Sequence, residues 1–260
     1  MIRDRYWLTH IALSSLKKSR LHNVLLIMVD DASQSPTANY LARFSIPEVP
    51  IIKIIIDKKE HQGRQLQKNL LPALDSAVRH GCRYVAVLDS DAVVKPEWLE
   101  RIRELYFRYS RYNIPLIVRG FNEKRGEAEY CDRALALIEK DKSCRSNLIC
   151  GGISMFFSAD LYCAARKDMD RYPWDKRLNE FVRKRCNGLI LQTTPSVVQH
   201  LGLLSGLNSG LLSGNRSCSF DYPAWWTPFI KIIYYMHQCI GKAGQYYHIR
   251  VKSKIIRKIK

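Results

Sequence analysis

The chain has 260 residues, 47% of them hydrophobic and 25% charged, which suits one large domain, or a domain with a small appendage, and excludes a disordered chain. Its 42 Lys and Arg against 24 Asp and Glu leave a formal net charge of +18. That exceeds what solubility asks for and favours a polyanionic partner: nucleic acid, an acidic lipid surface or a phosphorylated substrate.

The eight cysteines form no Cys-x-x-Cys pair, which argues against a zinc ribbon or a thioredoxin-type site. Several fall within apolar patterns, and we read a reducing, cytosolic compartment. The first twenty residues are charged from Arg3 onward and lack the continuous apolar core of a secretory signal. The longest apolar runs are too short or too interrupted to span a bilayer.

Along the chain, residues 3–19 carry apolar side chains at helical spacing and end in Lys and Ser, with cations where a helix C-terminus favours them. Residues 23–33, "NVLLIMVDDAS", form a continuous apolar run closed by Asp30 and Asp31, as expected of a strand buried on both faces. Residues 49–57 read as a second strand, and 63–81 as a helix stopped by Gly81. Residues 83–91, "RYVAVLDSD", read as a third strand. Residues 95–110 then form a helix with Pro96 in its first turn.

Alternating strands and helices predict an α/β domain with a mixed, mainly parallel sheet flanked by helices, whose ligands gather at the carboxyl ends of strands. Two of these ends are acidic: Asp30 with Asp31, and Asp89 with Asp91.

Further on, 114–121 reads as a strand, 126–143 as a helix, and 147–165 as a glycine pair, a strand and a helix. Residues 173–202 read as a helix followed by strand. Residues 203–215 are rich in Gly, Ser, Leu and Asn, and the tail 246–260 is basic, aromatic and interleaved with Ile. The expected division is a domain over 1–202 and a C-terminal loop with a basic, amphipathic tail over 203–260.

Asp89-Ser90-Asp91 places two carboxylates one residue apart at a strand end. Such a pair can hold a hard divalent cation and, through it, a diphosphate; an ordinary strand-end turn rich in Asp and Ser is the other reading. In context, "LLIMVDDAS", the helix bearing "RQLQKN", and "YVAVLDSDAVVKPEWL" resemble the nucleotide-binding half of family-2 glycosyltransferases with the GT-A fold. The resemblance covers roughly residues 1–202.

It implies that Asp30 or Asp31 contacts the nucleoside of a nucleotide-diphosphate sugar, a UDP-sugar by expectation. It also implies that Arg64, Lys68 and Asn69 face the donor, and that Asp89 and Asp91 hold Mn²⁺ or Mg²⁺. Ala32 stands where the family's turn often has Gly. "CGGISMFFSADLY" resembles the acceptor-side strand and helix, where Gly151 and Gly152 would let backbone approach the sugar, a tight bend being the alternative.

"YPWDKRLNEF" matches the position of the catalytic base in inverting members. Asp175 is the expected base, with Glu180 in reserve and Trp174 to stack on a sugar. An acidic residue placed early in a helix for its dipole is the plain alternative. "TPSVVQHLG" makes His200 a candidate third metal ligand, although a His at a strand end is often structural.

Family members open with a "VSIIIPTYNR"-like strand. This sequence matches only its end, so the fold is expected to lack or truncate the first strand. The resemblance implies a metal-dependent inverting glycosyltransferase acting on a hydroxyl acceptor. The charge and tail fit a bacterial surface glycan or lipid-linked acceptor at the inner face of the membrane. Glycosylation of nucleic acid and a truncated, non-catalytic GT-A binding domain are the alternatives.

Overall fold

A computed structural model describes residues 2, 6–56, 64–122, 138, 141–146 and 151–201, the side chains of 64–68 excepted. The expected helix over 126–143 lies outside this set apart from residues 138 and 141–143, and the loop and tail expected over 203–260 lie outside it.

The predicted elements within this set appear in order, together with short ones over 37–43, 92–94 and 144–146 that the sequence reading did not give. They are α1 (Tyr6–Lys17), β1 (Leu26–Asp31), α2 (Thr37–Arg43), β2 (Ile51–Ile56), α3 (Arg64–Arg79), β3 (Tyr84–Leu88), β4 (Ala92–Val94), α4 (Trp98–Ser110), β5 (Leu116–Arg119), β6 (Cys144–Ser146), β7 (Ser154–Ser158), α5 (Ala159–Met169), α6 (Trp174–Glu180), β8 (Leu189–Thr193) and β9 (Val198–His200). Helix α6 runs on into a wider π turn, Phe181–Arg185. Pro96 lies just before α4 rather than inside it, and Gly81, at φ +74, follows α3 in the left-handed conformation that glycine adopts at no steric cost.

The strands make a mixed sheet system. β1 and β2 pair in parallel, as do β5 and β8, whereas β3–β7, β5–β7, β6–β8 and β4–β9 are antiparallel. The order in the five-stranded sheet is β3-β7-β5-β8-β6. Ile2 forms an isolated parallel bridge to Asp30, where the resemblance places the end of a first strand.

Period-2 alternation sorts the core into two layers. Leu116 and Val118 of β5, Phe156 of β7, and Leu189 and Leu191 of β8 pack with α1, α2 and α4. Ile117, Met155, Phe157 and Ile190, the residues between them, pack with α3, α5 and α6. Helices therefore cover both faces, and the strands read as unbroken apolar runs. Strands β2 and β3 depart from this: Lys53 and Ile55 of β2 and Tyr84 and Ala86 of β3 are exposed, and among the described residues β2 pairs with β1 alone.

Helices α3 and α5 are clamped through Asp75. Its carboxylate accepts from Tyr162 Oη at 2.6 Å, and from Arg166 Nε and a terminal guanidinium nitrogen at 3.1 and 3.2 Å. Burial pushes the Asp75 pKa up, but the hydrogen bonds from Arg166 and Tyr162 outweigh it and bring it below the usual carboxylate value. A depressed folded pKa contributes stability above the unfolded value, about 3.9, and loses it as pH falls through the folded one. Thermal melts at pH 6 and pH 3 should therefore show wild type well above Asp75→Asn at pH 6, with the gap closing at pH 3.

Candidate active site

The carboxyl ends of β1 and β3, the start of β7 and the end of β9 supply the chemistry-bearing residues. Asp30 and Asp31 close β1, 7% and 1% exposed respectively. The Asp30 carboxylate accepts from Ser33 N–H at 3.1 Å, which closes a tight turn. Within that turn Ala32 sits at φ +50, the left-handed region that explains why Gly is common at this place.

Asn69, expected to face the donor, is buried and donates from Nδ2 to Asp31 Oδ1 at 2.9 Å. It positions Asp31 from α3. Arg64 and Lys68 lie earlier on the same helix, and their side chains are outside the described set.

Asp89, Asp91 and His200 come together. One ligand atom from each lies within 4.8 Å of the other two. The cause is the β4–β9 pairing, which sets Ala92 opposite His200 and brings Leu201 N–H onto Asp91 O at 3.0 Å. His200 Nε2 lies 3.1 Å from Asp91 Oδ1, and Asp91 is 1% exposed. Adjacent ligands on an octahedral cation with bonds of about 2.1 Å stand about 3 Å apart. Two carboxylates and an imidazole at this spacing suit a hard or borderline divalent ion such as Mn²⁺.

The residues expected on the acceptor side meet at the same end of the β3–β7 ladder. Asp89 N–H donates to Ile153 O at 3.1 Å. The neighbouring Gly152 N–H donates to Asp175 Oδ2 at 3.2 Å, and Lys176 N–H donates to Asp175 Oδ1 at 2.8 Å. Asp175 is thus oriented by two backbone donors in the first turn of α6.

Trp174 packs over Gly152, where an added Cβ would lie 3.0 Å from Trp174 Cζ2. A Cβ on Gly152 would press on this ring, while one on Gly151 would meet nothing within 4 Å. Glu180, the reserve candidate, is engaged by Arg177 at 2.9 Å. Sequence reading did not anticipate the Asp31–Asn69 bond or the Gly152–Asp175 bond; their partners are far apart in the chain, and no local pattern marks them.

The model of the glycosyl transferase family 2 matches residues 9–171, more than half of the chain. The chain belongs to this family. Among solved structures, it is similar to a mannosyltransferase from Pyrobaculum calidifontis in complex with GDP-Man and Mn²⁺, at 14% identity and a TM-score of 0.55. The match covers 79% of this chain and 56% of that one, so the family 2 chain described here spans little more than half the length of that relative.

A second structure, GalNAc-T7 with UDP, GalNAc and Mn²⁺, matches at 10% identity and a TM-score of 0.49 over 73% of this chain and 40% of that one. A search of curated proteins found no match. The likeness to the mannosyltransferase shows a shared fold, the GT-A type expected from the sequence.

Proposed function

We propose that this family 2 chain is a metal-dependent, inverting glycosyltransferase that moves a sugar from a nucleoside diphosphate to a hydroxyl acceptor. The observation that carries this reading is the convergence of Asp89, Asp91 and His200 beside the backbone that holds Asp175. In it, Asp31, steadied by Asn69, binds the nucleoside, and Asp89, Asp91 and His200 hold Mn²⁺ or Mg²⁺. When bound, such a cation offsets the negative charge that develops on the leaving diphosphate.

The Asp175 carboxylate takes the acceptor hydroxyl's proton as that oxygen attacks the anomeric carbon. The bond from that carbon to the diphosphate oxygen breaks on the opposite face. Trp174, lying over Gly152, offers an apolar surface to a sugar ring.

The acceptor we propose is a bacterial surface glycan precursor or another lipid-linked glycan. The enzyme would work in the cytoplasm at the inner membrane surface, and the net charge of +18 supports attraction to anionic headgroups. No helix among the described residues is long and apolar enough to cross a membrane. The test is hydrolysis of UDP- and GDP-sugars by the full chain with Mn²⁺ or with excess chelator. Release of nucleoside diphosphate with the metal and its loss with chelator is the expected result; equal turnover in both removes the metal from the mechanism.

A further inference from the structure

Gly120 follows the last residue of β5, at the carboxyl end of that strand, and is buried. Its backbone ties together the two segments that carry the metal-ligand residues. Gly120 N–H donates to Ser154 Oγ at 3.1 Å, and Ser154 follows Ile153, whose carbonyl accepts Asp89 N–H. On its other side, Gly120 O accepts from Val197 N–H at 2.9 Å and from Val198 N–H at 3.0 Å. Val198 opens β9, and His200 closes it.

Ser196 reinforces these bonds. Its Oγ lies 2.9 Å from Gly120 O and 2.7 Å from Val198 O, and it accepts from Asn122 N–H at 3.2 Å. Ser196 and Val198 are both fully buried, where such bonds are shielded from competing water.

The α-carbon of Gly120 is crowded by the same segment. A Cβ there would stand 2.6 Å from Val198 Cγ2, 2.9 Å from Ile102 Cδ1 and 3.0 Å from Val197 Cγ2. Carbon atoms in contact keep about 3.5–4.0 Å apart. Ile102 of α4 can swing its terminal methyl aside, but a branched valine is stiff at χ1. The added atom would therefore displace β9. Gly81, not Gly120, has the positive φ, so Gly120→Ala brings crowding rather than backbone strain.

We propose that Gly120 is a positioning residue for the metal site: its bare α-carbon seats β9 where His200 meets Asp91. His200 Nε2 lies 3.1 Å from Asp91 Oδ1, and a metal site tolerates only about 0.2 Å in its ligand distances. A shift of that order at Val198, two residues before His200, takes the imidazole out of range. Asp89 and Asp91, which precede β4, keep their places. The consequence for a cation rests on the functional reading above, whereas the dependence of the His200–Asp91 contact on Gly120 does not.

Two measurements on the full chain test this. Hydrogen exchange of the metal-free protein reads the Leu201 N–H bond to Asp91 O, and Gly120→Ala should speed exchange over 198–201 at least tenfold. Mn²⁺ binding, followed by the electron paramagnetic resonance signal of the free ion, should weaken by about tenfold or more, the usual scale for a residue that orients a ligand. In a His200→Ala background the same substitution should cost less than twofold.

Adding Val198→Ala to Gly120→Ala removes the nearest clash and should return Mn²⁺ affinity to within threefold of wild type. This double variant carries the test if Gly120→Ala alone fails to fold, and a folded double variant still tenfold weak overturns the proposal. Equal losses with and without His200 also overturn it, because the effect is then general destabilisation, as does unchanged exchange in Gly120→Ala. A wild type that binds no Mn²⁺ but shows the stated exchange response overturns the metal reading and supports the seating of β9 by Gly120.

Discussion

Asp91→Ala should lower sugar transfer by about 10²- to 10³-fold, the scale lost when one well-placed electrostatic partner of the leaving group is removed. Asp91 is buried, and it joins Asp89 and His200 in the one three-residue cluster of metal-ligand type among the described residues. Its main chain also receives Leu201 N–H, a bond that Ala retains, so the variant should keep the β4–β9 pairing and its circular dichroism. Steady-state transfer by wild type and variant, with Mn²⁺ titrated, checks this. A variant of unchanged turnover and unchanged Mn²⁺ dependence would show that the carboxylate serves the turn rather than a cation.

Asp175→Asn should cost a comparable or larger factor in kcat, about 10²- to 10⁴-fold, because the amide keeps the shape of the side chain and loses the proton acceptor. Asn still accepts through its oxygen from Gly152 or Lys176 N–H, so the first turn of α6 should survive. KM for the donor should move little if Asp175 acts on the acceptor alone. A large rise in donor KM with kcat intact would assign Asp175 to binding instead. Glu180→Gln provides the internal comparison: its carboxylate is paired with Arg177, and transfer should fall by less than tenfold.

Much of this site is legible along the chain because its donor half is built locally. A buried strand must end in polar residues where it leaves the core, so "VDDAS" and "LDSD" mark the strand ends without any tertiary knowledge. His200 is different. A histidine after "SVVQ" becomes a partner of Asp91 only because β9 folds back antiparallel onto β4, a pairing 108 positions apart at Ala92 and His200 that no periodicity encodes. The resemblance to the family supplied that residue; composition did not.

Two other features were hidden for related reasons. Asn69 reads as a donor-facing residue on a polar helix, yet the packing of α3 beside β1 turns it onto Asp31. The glycine pair reads as one unit, but only Gly152 is confined, by the ring of Trp174. In both cases what decides the role is which side chain arrives from elsewhere in the chain. Likewise, "VPIIKIIID" reads as a strand with no face marked for solvent, while its position in the β1–β2 pair leaves Ile55 65% exposed.

The central claim is that one cation held by Asp89, Asp91 and His200 joins the chain to a nucleoside diphosphate. Calorimetric titration of UDP and of GDP into the full chain, with Mn²⁺ and then with chelator, tests it most directly. Binding of one nucleotide that is strong with Mn²⁺, at least tenfold weaker with chelator, and equally weakened by Asp91→Ala is the predicted result. Binding that is indifferent to both the metal and Asp91 would contradict the account.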